Sequence, residues 1–388
     1  MDTAMVPIRS QSGMDAVTLT KDLVRIPSIN PPGNEQACAS YMAEVLSSIG
    51  FDVALQTFGE KRFNLVANLR GSACVKPIGF TGHLDTVPLG EAQWSRAPLG
   101  AEIDDGRLYG RGSSDMKAGI AAFVAACANH ADAIRAGAGV HLVLTGGEET
   151  GCDGARALAG AARHLMRDVA LLVVGEPTSN YPFVGHKGAL WMRATARGRA
   201  AHGSMPEQGV NAIYKAAEAI SKLKAFSLGA PTHPLMGDAT MNVGTIRGGL
   251  NVNSVPDRAE FEVDIRTVPG LDHQCLCARL SNYLTDEVEL DRLVDVPPLT
   301  SDWRNPLMQR VWEVCAPYHR EALTARSAPY FTDGGVLSSV TGNPPTVILG
   351  PGEPSMAHKV DEFCLVSRID EAVEIYGALI ADRAINGN

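Results

Sequence analysis

Short apolar runs alternate with helix-like segments along this chain, and no other sequence feature constrains the fold as strongly. Four runs rich in aliphatic and β-branched residues span residues 78–80, 140–144, 169–174 and 346–349. Alanine-rich stretches at 116–128 and 154–166 have the character of helices between them. Strands buried on both faces form continuous apolar runs, and strands that alternate with helices build mainly parallel sheets. The pattern predicts an α/β domain with a mostly parallel sheet and helices on both faces.

The middle of the chain has a different pattern. A half-exposed strand, one amphipathic helix and two further strands follow one another at residues 189–198, 211–226, 241–246 and 258–267. A set of this size can form an independent α+β unit. The α/β pattern then returns. We therefore predict a discontinuous catalytic domain of residues 1–185 and 298–388, with residues 186–297 inserted as an α+β unit.

Composition and charge exclude several classes of function. Apolar residues make up 45% of the 388 residues and charged residues 20%, which is typical of a globular enzyme. The net charge of −9 and the lack of a basic run exclude nucleic acid as a partner, since phosphate binding needs clustered Lys and Arg. No segment has the length of a membrane span, and residues 1–14 lack the pattern of a secretory leader. With eight scattered cysteines, these features predict a cytoplasmic enzyme without a membrane partner.

Candidate metal ligands follow the apolar runs. In an open α/β sheet, ligands bind beyond the carboxyl ends of the strands. Acidic or imidazole side chains flanked by small residues follow all four runs, namely His83, Asp85, Glu148, Glu149, Glu176 and His358. A glycine-rich turn at 110–112 leads to Asp115. Two imidazoles with several carboxylates suit zinc, manganese or cobalt, and Asp115 is the natural bridge between two ions about 3.5–4 Å apart.

Each of these residues, taken singly, has a simpler explanation. A lone His-x-Asp is a weak metal signal, and paired glutamates are usually part of a solvated turn. His358, next to Lys359, could lie on the surface. These explanations would all have to hold at once, and all at strand ends. The convergence therefore predicts a metal site.

The same residues lie in motifs that resemble the M20 family of zinc-dependent amidohydrolases and peptidases, in its acetylornithine deacetylase and succinyl-diaminopimelate desuccinylase branch. The matching segments occur in the family's order along nearly the whole chain, at residues 82–88, 110–117, 147–151, 175–178, 198–204 and 350–358. The resemblance implies two divalent metal ions, most often zinc, with cobalt or manganese as alternatives. It implies that His83 and Glu176 are terminal ligands of one ion. Glu149 and His358 would be those of the second, with Asp115 bridging.

The resemblance also assigns roles next to the metal ligands. Asp85 falls where the family has a carboxylate that orients the ligand histidine. Glu148 falls at the position of the general base. A carboxylate beside the metals that is not itself a ligand can take a proton from water, so the chemistry agrees with this role. A cis peptide bond is implied between Asp115 and Met116.

The inserted unit resembles the family's lid and dimerisation domain, so a homodimer is expected. His202 matches a histidine that reaches the active site of the other subunit in family dimers and stabilises an oxyanion. Asn253 and Arg266 match lid positions that contact substrate, where an arginine would clamp a carboxylate. An ordinary surface histidine and an ion pair of Arg266 with Asp264 are the alternative interpretations. Residues 330–334 resemble a family loop in which a substrate contact is plausible.

The predicted function is metal-dependent cleavage of an amide-type C–N bond in a small carboxylate substrate. Deacylation of an N-acyl-amino acid is the leading hypothesis, with acetylornithine as the leading single substrate. A dipeptidase, a carboxypeptidase, or an aminohydrolase of an aromatic or ureido amino compound is the alternative. A metal-binding homologue without activity is disfavoured, because Glu148 and all five ligands are present.

Overall fold

The computed structural model describes residues 13–386. The prediction that residues 1–14 carry no secretory leader therefore falls almost entirely outside the described residues. Within residues 13–386, no helix combines the length and the apolar character that a membrane span requires.

The helices and strands are numbered in chain order. The helices are α1 (Ala16–Arg25), α2 (Gln36–Ile49), α3 (Ala118–Asn129), α4 (Ala131–Ala136), α5 (Asp153–Ala159), α6 (Ala212–Lys224), α7 (His273–Leu284), α8 (Pro306–Cys315), α9 (Gly334–Val340) and α10 (Val366–Asn386). A π-helical turn spans Ser113–Lys117, and 3-10 turns span Arg163–Leu165, Pro206–Gln208, Thr285–Glu287 and Ala316–Tyr318. The longer strands are β1 (Asp52–Gly59), β2 (Arg62–Arg70), β3 (Ile78–His83), β6 (Gly139–Thr145), β7 (Leu171–Val174), β9 (Gly188–Arg197), β11 (Thr240–Gly248), β13 (Arg258–Thr267) and β14 (Val288–Val296). The shorter ones are β4 (Ile103–Asp104), β5 (Arg107–Tyr109), β8 (Gly185–His186), β10 (Ala201–His202), β12 (Ser254–Val255), β15 (Leu299–Thr300), β16 (Thr346–Ile348) and β17 (Phe363–Leu365).

A six-stranded sheet in the order β1-β2-β6-β3-β7-β16 forms the centre of the larger unit. Strands β6, β3, β7 and β16 run parallel, and β2 alone pairs antiparallel with both its neighbours. Side chains alternate between the faces of a strand, so Leu142 and Leu144 pack with α1, α2, α3, α8 and α10. Val143 packs on the opposite face with α5 and α9. The predicted α/β class, with helices on both faces, is confirmed.

A second sheet, in the order β11-β13-β9-β14, is antiparallel throughout. Phe261, Val263 and Ile265 are buried on the face that packs against α6 and α7, where a separate apolar core forms. The alternate residues of β13, among them Asp264 and Arg266, lie on the other face, because successive side chains of a strand point in opposite directions. This sheet is the predicted α+β addition, and the domain limits 1–185, 186–297 and 298–388 stay a prediction.

Two of the predicted helices differ from the structure. The helix expected at 116–128 begins at Ala118, because Asp115 and Met116 have non-helical dihedral angles that bring the chain into the site. The helix expected at 154–166 ends at Ala159, where Gly160 leaves the helical conformation, and a separate 3-10 turn follows. Glycine is among the weakest helix formers, so a break at this residue is understandable.

Candidate metal centre

Four neighbouring parallel strands end at the same edge of the central sheet, and the predicted ligands follow these ends. His83 is the last residue of β3, Glu149 follows β6, and Glu176 follows β7. His358 lies on the loop after β16, with a φ of 63°. Asp115 comes from the π-helical turn before α3. The fold brings all five together.

The first group of side chains contains His83, Asp115 and Glu176. The His83 Nε2 atom lies 3.1 Å from Asp115 Oδ1 and 3.8 Å from Glu176 Oε2. One ligand atom from each residue lies within 4.8 Å of the others, which is close enough to hold one ion.

The second group contains Asp115, Glu149 and His358. The His358 Nε2 atom lies 3.0 Å from Glu149 Oε2 and 3.5 Å from Asp115 Oδ2. Asp115 therefore presents one carboxylate oxygen to each histidine, which is the arrangement of a bridging carboxylate between two ions.

The donor set fits divalent cations. Among the described residues, the buried Glu149 Oε1 atom has no hydrogen-bond partner. Burial raises the pKa of Glu176 to about 8, although the neighbouring His83 favours its charged form. Hydrogen bonds to Asp115 and Glu149 raise the pKa of His358 to about 10. In the metal-free site, burial and the clustering of carboxylates favour protonated glutamate and histidine side chains. Bound metal ions would supply the positive charge that these protons provide.

Asp85 organises the site from behind the ligands. Its backbone carbonyl lies 2.9 Å from His83 Nδ1, whereas its Oδ1 atom is 3.6 Å away. The carbonyl is thus the nearer acceptor for the Nδ1 proton, which leaves Nε2 free to bind a metal. The Asp85 carboxylate instead accepts the backbone N–H groups of Glu148 and Glu149, at 3.2 and 3.3 Å. Asn30 donates a further hydrogen bond to it at 2.9 Å.

Glu148 is held in a tight turn after β6. Gly147 has a φ of +74°, and a Cβ atom there would lie 2.6 Å from Arg62 Nη2, so the position requires glycine. Glu148 is buried and belongs to neither ligand group. Burial raises the pKa of Glu148 well above its ordinary value, and the charge of Glu176 adds to this effect.

Glu362 fixes the turn that carries Asp115, and it was not among the residues predicted from the sequence. Its fully buried carboxylate accepts the backbone N–H groups of Gly112, Ser114 and Asp115 at 2.8–3.0 Å. It also pairs with the buried Arg111 at 2.7 Å. A buried arginine needs a buried acidic partner. Arg111 lies in the glycine-rich motif, so the need for such a partner could be foreseen, but not its identity.

A cleft of about 320 Å³ opens over the two ligand groups. Its lining includes four of the predicted ligands, Glu148, and the side chains of Trp191, Arg266, Tyr330 and Phe331. Arg266 therefore lies where the sequence analysis expects a substrate contact, and it also forms the alternative ion pair, with its Nε atom 3.0 Å from Asp264 Oδ1. Trp191 could not be predicted from the sequence, because a tryptophan in a strand has no distinguishing motif.

His202 and Asn253 do not line this cleft. Both are exposed, and the pairing of β10 with β12 places His202 opposite Ser254, next to Asn253. The Asn253 carbonyl accepts the backbone N–H of Gly203 at 2.8 Å. Among the described residues, neither belongs to the two candidate ligand groups of its own chain.

Comparison with known proteins places the chain in a family. The sequence profile described as Peptidase family M20/M25/M40 matches residues 79–382. The chain is 31% identical to a probable succinyl-diaminopimelate desuccinylase of Staphylococcus epidermidis, over 94% of this chain and 96% of that protein. It is 31% identical to an acetylornithine deacetylase of Proteus mirabilis, over 94% and 95% of the two chains.

The fold is similar to that of an M20 family metallo-carboxypeptidase from Sulfolobus solfataricus. That structure has a TM-score of 0.80 and 19% sequence identity, and the match covers 96% of this chain and 99% of the other. The cis peptide bond implied between Asp115 and Met116 is present as well. This chain belongs to peptidase family M20/M25/M40 and is a hydrolase that acts on amide bonds.

Proposed function

We propose that this hydrolase uses two metal ions to remove the acyl group from an N-acyl-amino acid. One observation carries the proposal: two ligand groups share Asp115, while Glu148 is buried beside them and belongs to neither. A carboxylate left free at such a site is suited to general base catalysis. The relatives named as a deacetylase and a desuccinylase support deacylation as the reaction, with acetylornithine as the substrate favoured by the sequence resemblance.

The ligand set would hold the ions, with zinc favoured and cobalt or manganese as alternatives, through His83, Asp115, Glu149, Glu176 and His358. Such ions lower the pKa of water and polarise a carbonyl group. Glu148 takes the proton from the attacking water and returns it to the leaving nitrogen. Asp85 keeps the backbone of Glu148 in place during both transfers, through the hydrogen bond to its N–H group.

Arg266 is proposed to bind the substrate carboxylate. Its Nε atom is held by Asp264 at 3.0 Å, and among the described residues its two Nη groups have no hydrogen-bond partner. A guanidinium fixed at one edge presents its other donors in a geometry that matches a carboxylate. The carboxylate of the substrate would thus be anchored on the wall of the cleft that faces the ligands.

His202 is proposed to act on the active site of a second subunit, together with Asn253. The backbone N–H of Ser204 donates to His202 Nδ1 at 3.2 Å, so the neutral ring carries its proton on Nε2. That proton is available to an oxyanion. Because Asn253 directly precedes Ser254, the residue opposite His202 in the β10–β12 pair, both would enter the partner's cleft together.

A homodimer through the antiparallel sheet is proposed on the basis of its exposed apolar surface. Strand β11 is an edge strand, and edge strands tend to pair with other chains. Large apolar side chains are exposed on β11, on the loop after it and on α6, namely Ile213, Tyr214, Ile246, Leu250 and Val252. An apolar patch of this kind marks a protein interface more often than a solvated surface.

A reducing, cytoplasmic location is also proposed. All eight cysteines lie within residues 13–386, and none of them is paired in a disulfide. Free thiols in this number are typical of proteins from reducing compartments.

The test is an assay of the metal-reconstituted protein on N-acetyl, N-succinyl and N-formyl amino acids, dipeptides, and aromatic and ureido amino compounds. Turnover of an acyl-amino acid that stops in Glu148→Gln and after removal of metal by a chelator is the expected result. Activity confined to dipeptides would instead assign the chain to the peptidases of the family. Activity confined to aromatic or ureido compounds would make it an aminohydrolase. An undiminished Glu148→Gln variant would overturn the proposed mechanism.

A further inference from the structure

Two aromatic rings that contact each other also pack against Arg266 in the cleft. The rings of Trp191 and Phe331 meet edge to face, with centroids 6.0 Å apart and an interplanar angle of 77°. The guanidinium carbon of Arg266 lies 5.9 Å from the Trp191 centroid and 5.7 Å from that of Phe331. Trp191 Nε1 donates to Asp264 Oδ1 at 2.8 Å, so the carboxylate that holds Arg266 also holds the indole. Arginine and rings thus form one fixed surface, here called the aromatic face.

We infer that the aromatic face selects substrates whose amino acid has an apolar side chain, best an aromatic one. This inference rests on the proposed function, in which Arg266 binds the carboxylate of an N-acyl-amino acid. The carboxylate and the side chain of an amino acid are attached to the same carbon atom. A carboxylate on Arg266 therefore brings that side chain near Trp191 and Phe331, the two rings that pack against the arginine.

The remaining wall of the cleft is also apolar. Tyr330 lines it with its ring, since its hydroxyl group is used in a hydrogen bond to the Pro177 carbonyl at 2.9 Å. Pro177, Pro354 and Ala357 complete the lining beyond the ligands. An apolar side chain would bury its surface against these groups, and an aromatic ring would add edge-to-face contacts with Trp191 or Phe331.

A positively charged side chain would be disfavoured in the same place. It would lie beside the guanidinium of Arg266, a like charge that already packs over both rings. The carboxylates that line the described cleft are three ligands and the proposed base, namely Asp115, Glu149, Glu176 and Glu148. Asp264, nearby, is already paired with Arg266 and Trp191. Since ornithine and diaminopimelate carry a side-chain ammonium group, their acyl derivatives should be poor substrates here, and on this point the inference departs from the acetylornithine that the sequence resemblance favours.

Binding to the full-length Glu148→Gln protein, loaded with zinc, separates recognition from turnover. Calorimetric titration would compare N-acetylphenylalanine, N-acetylleucine, N-acetylornithine and N-acetylglycine. The expected order is phenylalanine, then leucine, with a Kd for N-acetylphenylalanine lower than that for N-acetylornithine by about tenfold or more. Equal affinities, tighter binding of N-acetylornithine, or no binding of any of the four compounds would overturn the inference.

Variants of the rings show whether they contact the side chain or only support Arg266. In the same background, Trp191→Ala and Phe331→Ala should each weaken N-acetylphenylalanine by about tenfold. N-acetylglycine has no side chain to contact the rings, so its affinity should change less than about twofold. An equal loss for both compounds would mean that the rings only position Arg266, and would overturn the inference. Trp191→Phe, which keeps a ring without the bond to Asp264, should retain most of the preference and guards against misfolding of the alanine variants.

Turnover by the wild-type protein tests the proposed function, and selective binding to Glu148→Gln tests the aromatic face. Turnover of acyl-amino acids by the wild-type protein, with ornithine preferred, would leave the function standing and remove the aromatic selection. Selective binding of N-acetylphenylalanine without turnover of any acyl-amino acid would do the opposite. The two results come from different proteins, wild type and Glu148→Gln, so one cannot be mistaken for the other.

Discussion

The edge of the parallel sheet and the antiparallel sheet both supply residues to one cleft, but they hold them differently. At the parallel edge, the three residues His83, Glu149 and Glu176 lie at or just after the ends of buried strands. The nearby turns are held by backbone N–H groups that donate to the buried carboxylates of Asp85 and Glu362. From the antiparallel sheet, Arg266 reaches the cleft of its own chain, whereas His202 remains exposed outside it. The chemistry is thus built into one rigid edge. Recognition depends on surfaces outside that edge, and for His202 the proposed route into a site is through a second subunit.

The largest effect expected lies at the rigid edge. Glu148→Gln should lower kcat by about 10³-fold, because a glutamine cannot accept the proton from water. The hydrogen bonds that place the turn involve the backbone of residue 148 and should survive. Zinc content measured by atomic emission should therefore remain at the wild-type value.

Glu148→Asp provides the matched control, since it keeps a carboxylate and shortens its reach. It should recover part of the activity without changing the zinc content. A Glu148→Gln protein that has lost its metal would show that Glu148 is a ligand. The assignment of Glu148 as a base that is not a ligand would then be wrong.

The next largest effect is expected at His202, and it shows whether this exposed residue contributes to the active site of a second subunit. His202→Ala should lower kcat by about 10²-fold through loss of a donor to the oxyanion. A mixture of His202→Ala and Glu148→Gln subunits, unfolded and refolded together, decides where the histidine acts. If it acts across the dimer, each mixed dimer has one complete site, and an equal mixture should regain about a quarter of wild-type activity.

No recovery in the mixture, with dimers present by analytical ultracentrifugation, would place His202 in the site of its own chain or in none. The antiparallel sheet would then differ from the parallel edge only in lying farther from the ligand groups, and not in serving a second subunit. A matched control is the mixture of His202→Ala with wild-type subunits, which shows that refolding itself restores activity.

The difference between the regions also decides what the sequence could predict. His83, Glu149 and Glu176 could be predicted because a parallel sheet brings the ends of its strands to one edge, whatever the loops do. His358 also follows an apolar run, but on a long loop beyond β16, so the strand pattern predicted it less directly and the family motif assigned its role. Glu362 was missed because nothing in the sequence pairs it with Arg111 across the fold. Trp191 was missed because its contact with the cleft depends on how the antiparallel sheet is placed.

A smaller effect is expected from the carboxylate behind the ligands. Asp85→Asn keeps the shape of the side chain but replaces one acceptor oxygen with a donor, which cannot receive the N–H of Glu148 or Glu149. The ligand turn should become less well fixed, and zinc affinity should fall by about 10–100-fold. Competition with a chromogenic chelator measures this affinity directly.

The control is Asp132→Asn, a change in a fully exposed carboxylate on α4 that should leave zinc affinity unaltered. Unchanged zinc affinity in Asp85→Asn would mean that the backbone carbonyl of Asp85 alone is enough to orient His83. The organisation behind the ligands would then matter less than the strand ends themselves.

The smallest effect expected is on the stability of the metal-free protein, and it concerns the parallel edge alone. The pKa of His358 is about 10 in the folded protein, above its ordinary value of 6.5, so its stabilising contribution is complete below pH 6.5 and is lost as the pH rises through 10. The pKa of Glu176 is about 8, above its ordinary value of 4.5, so burial favours the protonated folded form and stability falls as the pH rises through 8. Both effects have the same sign. The metal-free protein should lose stability between about pH 5 and 10.

Zinc should reverse this trend, because metal ions bind the deprotonated ligands and their affinity grows as protons leave. Thermal unfolding at pH 6 and pH 9, with and without a chelator, compares the two states. In the chelated protein, His358→Gln should reduce the decrease in Tm between these pH values, while His164→Gln, at an exposed histidine, should leave it unchanged. If the metal-free protein were as stable at pH 9 as at pH 6, deprotonation of the clustered side chains would not destabilise the fold, and no bound cation would be required to offset it. The rigid edge would then be held by the fold alone, independently of the metal ions that it is proposed to bind.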